Sequence, residues 1–202
     1  SGASARARLQ ANGHLLNWGM PETTTSRELR INLERLKQDL YDLSRIGRNP
    51  EDRGIYRMAF TDADMEGKRW LRERIEEAGL AVRTDGAGNV WGRLEGRKSA
   101  GPAVLVGSHI DTVPAAGPLD GSLGVTVGLE CLRSLREAGF QPDDPIELVA
   151  FSDEEGRFGG MFGSQAVAGM INPEALHATD LDGSTLESAM QKQGFEPLRS
   201  LE

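Results

Sequence analysis

The chain has 202 residues, of which 31 are acidic and 23 basic, so its formal net charge is −8. This length suffices for one domain with its own core, and the acidic balance, without basic clusters interleaved with aromatic residues, argues against nucleic acid as a partner. The single cysteine, Cys131, excludes an internal disulfide, and no apolar stretch approaches the roughly 20 residues that span a bilayer, so we expect a cytoplasmic protein without a membrane segment.

The first part of the chain combines an expected tail with a helix. Residues 1–25 carry basic side chains but no sustained apolar stretch, so we predict a flexible tail or an appended tag. In residues 26–46, leucines recur at three- and four-residue spacings, which is typical of an amphipathic helix. The recurring residues are Leu29, Leu33, Leu36, Leu40 and Leu43. Ser26 is the expected N-cap and Gly47 the expected C-cap.

Downstream, helical and strand-like patterns alternate. Residues 64–78 predict a second helix, and residues 80–94 predict two short strands around a Gly/Asp/Asn turn. The apolar run 103–107 predicts a buried strand, residues 123–138 a third helix and residues 146–151 another strand. A helical crossover of this length joins parallel strands, so both carboxyl ends lie at the same sheet edge. The sequence therefore predicts an α/β fold with a mostly parallel mixed sheet flanked by helices.

Side chains that can bind metals follow both strands of this predicted parallel pair. They lie in "GSHIDTVPAAGPLDG" and "DEEG" and are His109, Asp111, Asp120, Glu154 and Glu155. Open α/β sheets bind ligands at the carboxyl ends of their strands, so we expect the two groups to converge. A neutral imidazole with carboxylates suits Zn, Mn, Co or Ni, and a bridging carboxylate can hold two such ions about 3.5–4 Å apart.

The individual residues suit distinct tasks at such a site. Asp111 can accept the second ring N–H of His109 and so fix the tautomer of that ring. If the chain kinks at Gly156, one of the two adjacent glutamates can face a metal and the other a metal-bound water. A glutamate beside a water whose pKa is lowered towards about 7 can act as a general base for hydrolysis.

Each motif also has a plainer interpretation. A histidine after a strand is usually a polar loop residue, "DEE" is commonly a solvated charge run, and "DG" alone is a turn. The order and shared placement of the motifs favour the metal site. His14 in the expected tail and His177 in a polar stretch are interpreted as surface residues. Cys131 lies within the pattern of the third helix and is interpreted as packed.

Two longer segments resemble the signature segments of a known enzyme family. They are "GSHIDTVPAAGPLDGSLGVTVGLE" and "IELVAFSDEEGRFGGMFGSQAVAG", supported by "RIGRNPEDRGIYRMAFTDAD" and "DGAGNVWGRLEG". The family is that of the two-metal amidohydrolases, which includes N-carbamoyl-L-amino acid hydrolases, allantoate amidohydrolases and β-ureidopropionases, relatives of the aminoacylase and carboxypeptidase metallopeptidases. The resemblance implies a zinc-peptidase-like catalytic domain that hydrolyses a linear amide or ureido C–N bond in a small molecule. An aminoacylase or dipeptidase is the alternative among enzymes.

The resemblance also implies a role for each candidate residue, carried over by position. His109 would bind one of two divalent ions, Asp120 would bridge them, and Glu155 would bind the other. Glu154 would be the general base, and Asp111 would be the orienting carboxylate. These roles agree with those expected from the chemistry of the side chains.

The family implied by the resemblance has longer chains, in which a lid or dimerisation domain precedes further histidine ligands. Residues 26–202 are therefore interpreted as the N-terminal portion of an incomplete catalytic domain, and an inactive fragment is the alternative to an enzyme. For the chain alone we expect weak binding, chiefly of a single ion, and displacement of residues 153–162 without metal. Uncovered apolar surface further predicts a homo-oligomer.

Overall fold

The computed structural model describes residues 29–98 and 101–201. The predictions for residues 1–25, for His14 and for Ser26 lie outside the described residues. The helices are α1 (Leu33–Arg45), α2 (Asp62–Glu77), α3 (Ser122–Glu137), α4 (Phe162–Val167) and α5 (Leu186–Lys192). The strands are β1 (Ala81–Thr84), β2 (Val90–Leu94), β3 (Val104–His109) and β4 (Ile146–Phe151). Two short 3₁₀ helices cover Pro173–His177 and Pro197–Leu201.

The strands form one mixed sheet in the order β1-β2-β4-β3. β1 pairs with β2 and β2 with β4 in antiparallel fashion, whereas β3 and β4 are parallel and are joined through α3. Their register places His109 opposite Phe151. The predicted α/β class, the mixed sheet and the parallel pair are confirmed. Parallel pairing is limited to β3–β4 among the described strands, so the parallel share of the sheet is smaller than the sequence suggested.

The first helix is shorter than the leucine pattern predicted. It begins at Leu33, because the Asn32 side chain accepts a hydrogen bond from the Arg35 backbone N–H at 3.1 Å and caps the helix there. Leu29 is exposed and precedes the helix, so its predicted place in the helical face was wrong. Gly47 has a φ of 76° directly after the helix, which is the left-handed conformation expected of a residue that ends a helix.

The hydrophobic core lies between the sheet and the helices that cover it. One cluster joins helix and strand residues, with Leu71, Ile75, Leu129 and Leu148 among its fully buried members. A second cluster lies under the loops after β4 and includes Phe60, whose ring makes an edge contact with Phe162 at 6.3 Å between centroids. These clusters fix the strand ends from which the site residues project. None of the helices in the described part of the chain has both the length and the apolar character needed to cross a membrane.

Two predictions of burial were wrong. Val104 and Leu105 of β3 are 56% and 46% exposed, because β3 lies at the edge of the sheet and pairs only with β4 among the described strands. Cys131 is exposed and not packed, because it follows Leu123 and Val127 along the solvent-facing side of α3. Exposed apolar side chains are therefore present both on the edge strand β3 and on α3. His177 is exposed, as predicted.

Candidate metal centre

The first group of site residues comes from the segment that joins β3 to α3. β3 ends at His109, and the loop returns so that Asp120 lies two residues before the first residue of α3. Nε2 of His109 is 3.9 Å from Oδ1 of Asp120. Gly121 permits this approach, because a Cβ at its position would lie 2.5 Å from the His109 ring, and its φ is 61°. The "DG" of the sequence is thus a turn and also a close-approach site.

The second group follows β4 and meets the first at the same edge of the sheet. Potential ligand atoms of His109, Asp120 and Glu155 all lie within 4.8 Å of one another. One imidazole and two carboxylates form a donor set that suits Zn and similar divalent ions. The predicted convergence of the two motifs is observed, and the three residues form a possible metal-binding triad.

His109 is oriented by Asp111, but mainly through its backbone. Nδ1 of His109 is 3.0 Å from the carbonyl oxygen of Asp111 and 3.7 Å from its carboxylate. Because a carbonyl can only accept, Nδ1 carries the proton in this arrangement, and the lone pair of Nε2 faces the other candidate ligands. The Asp111 carboxylate accepts the backbone N–H of Glu155 at 3.2 Å. Asp111 therefore links the two motifs that supply the site.

The surroundings of Asp111 are electrostatically unusual. Burial, together with the nearby carboxylate of Asp64, raises the pKa of Asp111 to about 7. The hydrogen bond from Glu155 and the charges of His109 and Lys68 act in the opposite direction. Buried carboxylates with shifted pKa values are concentrated at functional sites, which agrees with the contacts of Asp111 with His109 and Glu155.

Glu154 and Glu155 point into the site because the chain turns sharply after β4. The turn starts at Asp153, whose φ of 50° is left-handed although it is not glycine, and continues through Gly156 at 86°. The Asp153 carboxylate accepts the backbone N–H of Phe158 and so closes the turn. Oε2 of Glu154 lies 3.3 Å from Nε2 of His109. The sequence predicted a kink at Gly156 and missed the one at Asp153.

A cavity of about 580 Å³ adjoins the triad. Asp111 and Glu155 line it, and its wall also includes Phe158 and Val113. Arg157 also lines it, but its guanidinium donates to Asp180 at 2.9 Å and to the carbonyl of Ala59. The cavity therefore combines apolar side chains with the carboxylates of Asp180 and Asp182 next to the candidate ligands.

The sequence did not predict three buried charged residues close to the site, which are Arg57, Asp64 and Lys68. Arg57 donates to the Ile110 carbonyl at 2.7 Å and to the Ser122 hydroxyl at 3.1 Å, and so ties both ends of the loop between β3 and α3. Asp64 and Lys68 form an ion pair at 3.2 Å within α2. Both align with the apolar residues of that helix at helical spacing, and charged residues on an apolar face are the signal that could have revealed them.

Comparisons with known proteins show which enzymes this chain resembles. The model of peptidase family M28 matches residues 89–183, a range that includes both motifs. An N-carbamoyl-L-amino acid amidohydrolase from Geobacillus stearothermophilus is 44% identical over 169 residues, which are 82% of this chain and 41% of that protein. The chain is a homologue of the carbamoylase-type amidohydrolases. The resemblance identified in the sequence is thereby confirmed.

Two further similar proteins are also named as amidases or hydrolases. A crystal structure of a hydantoinase/carbamoylase family amidase from Burkholderia ambifaria superposes with a TM-score of 0.78 at 39% identity, covering 82% of this chain and 41% of that one. A ureidoglycolate hydrolase from Arabidopsis thaliana is 35% identical over 161 residues, covering 78% of this chain and 34% of that protein. The chain thus spans about two fifths or less of the length of these relatives.

Proposed function

We propose that the natural protein carrying this sequence hydrolyses a linear amide or ureido C–N bond, with an N-carbamoyl amino acid as substrate. The observation that carries the proposal is the convergence of His109, Asp120 and Glu155 within 4.8 Å, with Glu154 beside them. The names of the relatives, N-carbamoyl-L-amino acid amidohydrolase and ureidoglycolate hydrolase, support this reaction class.

His109, Asp120 and Glu155 would hold two divalent ions of the Zn, Mn, Co or Ni type, with Asp120 as their shared ligand. Such ions would supply Lewis-acid polarisation of the carbonyl group and activation of water. The hydrogen bond from Nδ1 of His109 to the Asp111 carbonyl leaves Nε2 free to act as the ligand atom. The donor set therefore fits the proposed metals.

Glu154 would move the proton in this reaction. Its carboxylate accepts a proton from the attacking water as the water oxygen bonds to the carbonyl carbon. The same carboxyl then donates that proton to the leaving nitrogen as the C–N bond breaks. Cleavage of this bond in an N-carbamoyl amino acid would yield the free amino acid and carbamic acid, and the carbamic acid would then decompose to carbon dioxide and ammonia.

We infer that an uncharged part of the substrate lies in the cavity beside the triad. Its wall includes Val113 and Phe158, and the charge of Arg157 in that wall is balanced by Asp180. An apolar substituent would gain burial against the apolar part of this wall. The cavity thus supports a small organic substrate.

Substitution of Glu154 tests this function. In the natural protein, Glu154→Gln should lower kcat by about 10²- to 10⁴-fold while metal content stays constant, because the amide cannot accept the proton. Glu174→Gln, at an exposed position of a 3₁₀ helix, is the matched control and should retain full activity. Near-normal turnover of the Glu154 variant would exclude the proposed base.

An aminoacylase or dipeptidase activity is the second candidate, because the matching family model is that of peptidase family M28. Parallel assays with N-carbamoyl amino acids, N-acetyl amino acids and dipeptides distinguish the two. Higher kcat/KM for the acetylated or peptide substrates would favour the second candidate. Absence of hydrolysis in all three assays would favour a non-catalytic role.

For the chain of 202 residues alone, we propose weak metal binding. Shared between two ions, the three side chains of the triad would leave each ion one ligand of its own plus the bridging Asp120, whereas a catalytic zinc ion usually has three protein ligands. Calorimetric titration with zinc should therefore show a dissociation constant above about 1 µM, with less than two ions bound. Two tight sites on a monomer would contradict this expectation.

We also propose that this chain self-associates through the uncovered surface formed by the β3 edge and by Leu123 and Val127 of α3. An exposed strand edge pairs readily with a second copy, and the neighbouring apolar side chains would be buried by that contact. Light scattering should detect a homo-oligomer, and a monodisperse monomer at high concentration would contradict it.

We place the protein in the cytoplasm, because its single exposed cysteine suits a reducing compartment. Cell fractionation followed by immunodetection is the corresponding test.

A further inference from the structure

Lys68 occupies a position that the fold alone does not require to be charged. It lies on the face of α2 that also carries Leu71 and Ile75, and it is almost completely buried. Burial of an ammonium group is unfavourable unless it is paired and hydrogen-bonded, and an apolar side chain would continue the buried face. The contacts around Lys68 must therefore account for the buried ammonium group.

The contacts of Lys68 lead directly to the turn that carries the site glutamates. Nζ donates to the Ser152 hydroxyl at 2.9 Å, pairs with the Asp64 carboxylate at 3.2 Å and lies 4.7 Å from the centre of the Phe60 ring. Asp64 is itself held by the backbone N–H of Phe60 at 2.8 Å. Lys68 thus connects α2 to the residue that follows β4.

Ser152 is fixed on three sides. Its backbone N–H donates to the Asn89 side chain at 2.9 Å, and its carbonyl accepts the backbone N–H of Gly163 at 2.8 Å. Lys68 supplies the third bond, to the side-chain hydroxyl. These contacts come from three separate parts of the chain, so Ser152 is held by the tertiary fold and not by local sequence.

The next residue is the strained one. Asp153 has a left-handed φ of 50°, a conformation that persists in a non-glycine residue only where its surroundings enforce it. Ser152 is fixed before it, and the hydrogen bonds of the Asp153 carboxylate to the Phe158 backbone fix the chain after it. Glu154 and Glu155 follow directly, so their direction depends on this anchored turn.

We propose that Lys68 is a positioning residue for the metal centre, acting through its hydrogen bond to Ser152 to hold the turn that presents Glu154 and Glu155. This inference rests on the proposed metal site. Lys68 contacts neither the candidate ligands nor the cavity. Its charge also lowers the pKa of Asp111, and Ser152→Ala, which leaves the charges of Lys68 and Asp64 in place, separates that electrostatic effect from the geometry of the turn.

The test uses variants that remove the contact without leaving a buried charge unpaired. Lys68→Met with Asp64→Asn removes both charges, and Ser152→Ala removes only the acceptor. Arg133→Met with Asp39→Asn is the matched control, because it removes a buried ion pair between α1 and α3, remote from the turn. Urea unfolding of each variant measures separately how much the substitution changes the free energy of unfolding.

Cobalt binding, followed by visible absorption, should weaken about tenfold in the Lys68 and Asp64 double variant and stay unchanged in the control. Amide hydrogen exchange of residues 152–158 in the metal-free chain should accelerate in the double variant and in Ser152→Ala, and should stay unchanged in the control. Adding Ser152→Ala to the double variant should produce no further loss, because both substitutions break the same contact.

Three outcomes would overturn the proposal: cobalt affinity equal to wild type, equal weakening in the control, or losses that multiply in the triple variant. If the wild-type chain binds no cobalt, the proposed metal site fails for this chain. Hydrogen exchange then decides the role of Lys68 by itself: selective acceleration at residues 152–158 supports the anchoring, and its absence overturns it.

Discussion

The two sides of the metal centre differ in how firmly the chain holds them. The His109 side chain is 8% exposed and is oriented by the Asp111 carbonyl, whereas the Asp120 side chain is 78% exposed. A buried, hydrogen-bonded ligand is ordered before a metal arrives, and an exposed one loses conformational freedom on binding. Changes on the buried side should therefore alter metal affinity strongly, and changes on the exposed side more weakly.

The largest loss of metal affinity is expected from Gly121→Ala, which would displace the buried ligand His109. The added Cβ would lie 2.5 Å from the His109 ring, so the ring must move away from its metal-facing position. We expect about a 100-fold loss of cobalt affinity. Gly139→Ala is the control, since Gly139 has a similar φ of 70° but no atom within 4 Å of the added Cβ. Equal losses in both variants would show that backbone strain, and not the ring, is responsible.

Asp120→Asn changes the exposed side. Cobalt affinity should fall by about tenfold, because an amide is a weaker ligand than a carboxylate for these ions. The free energy of unfolding should change by less than about 0.5 kcal/mol, as is usual at an exposed position. Paired metal titration and urea unfolding check both statements. A large loss of stability would mean that the fold holds the Asp120 side chain in place, contrary to the contrast drawn with His109.

A similar contrast, between a buried and an exposed carboxylate, exists at a distance from the site. Arg35 pairs with Glu130, whose side chain is 0% exposed, and with Glu137, whose side chain is 59% exposed. Burial alone would raise the pKa of Glu130, but hydrogen bonds from Arg35, from the Asn32 backbone and from Ser134 outweigh it and lower the pKa. The buried carboxylate therefore stabilises the fold while it is ionised.

Glu130→Gln should destabilise the chain by about 2 kcal/mol at pH 7, and Glu137→Gln by less than about 1 kcal/mol. The folded pKa of Glu130 lies below its ordinary value of 4.5, so its contribution is complete above that pH. The contribution is lost as the pH falls through the folded pKa, so wild type and Glu130→Gln should then have the same free energy of unfolding. Urea unfolding across this pH range measures both free energies. A difference that stays constant with pH would show that the ionised Glu130 does not stabilise the fold in this way.

The sequence predicted the parts of the fold that depend on local pattern. Residues 64–78 and 123–138 are helical to within two residues, and Gly79 and Gly139 both adopt left-handed φ values after their helices. The parallel pair followed from the order of strand, helix and strand, and with it the convergence of His109, Asp120 and Glu155. Periodicity and connection length suffice for these features.

Features that depend on tertiary contacts could not be predicted in this way. The edge position of β3 is not encoded in its apolar residues, because a central strand has the same composition. The left-handed Asp153 and the buried Lys68 depend on partners distant in sequence, as in the contact between Lys68 and Ser152. The hydrogen bond between the His109 ring and the Asp111 carbonyl could not be predicted from side-chain types, because its acceptor is a backbone atom.

The smallest effect on stability is expected at the edge of the sheet, where the sequence-based prediction of burial was wrong. Leu105→Lys places a charge on an already exposed side chain of β3, so the free energy of unfolding should change by less than about 0.5 kcal/mol. Edge lysines oppose strand pairing between copies, and self-association should therefore decrease in light scattering. Leu198→Lys, at another exposed leucine outside the proposed contact, is the control and should associate like wild type. If both variants remain equally associated, the contact between copies lies elsewhere than on the β3 edge.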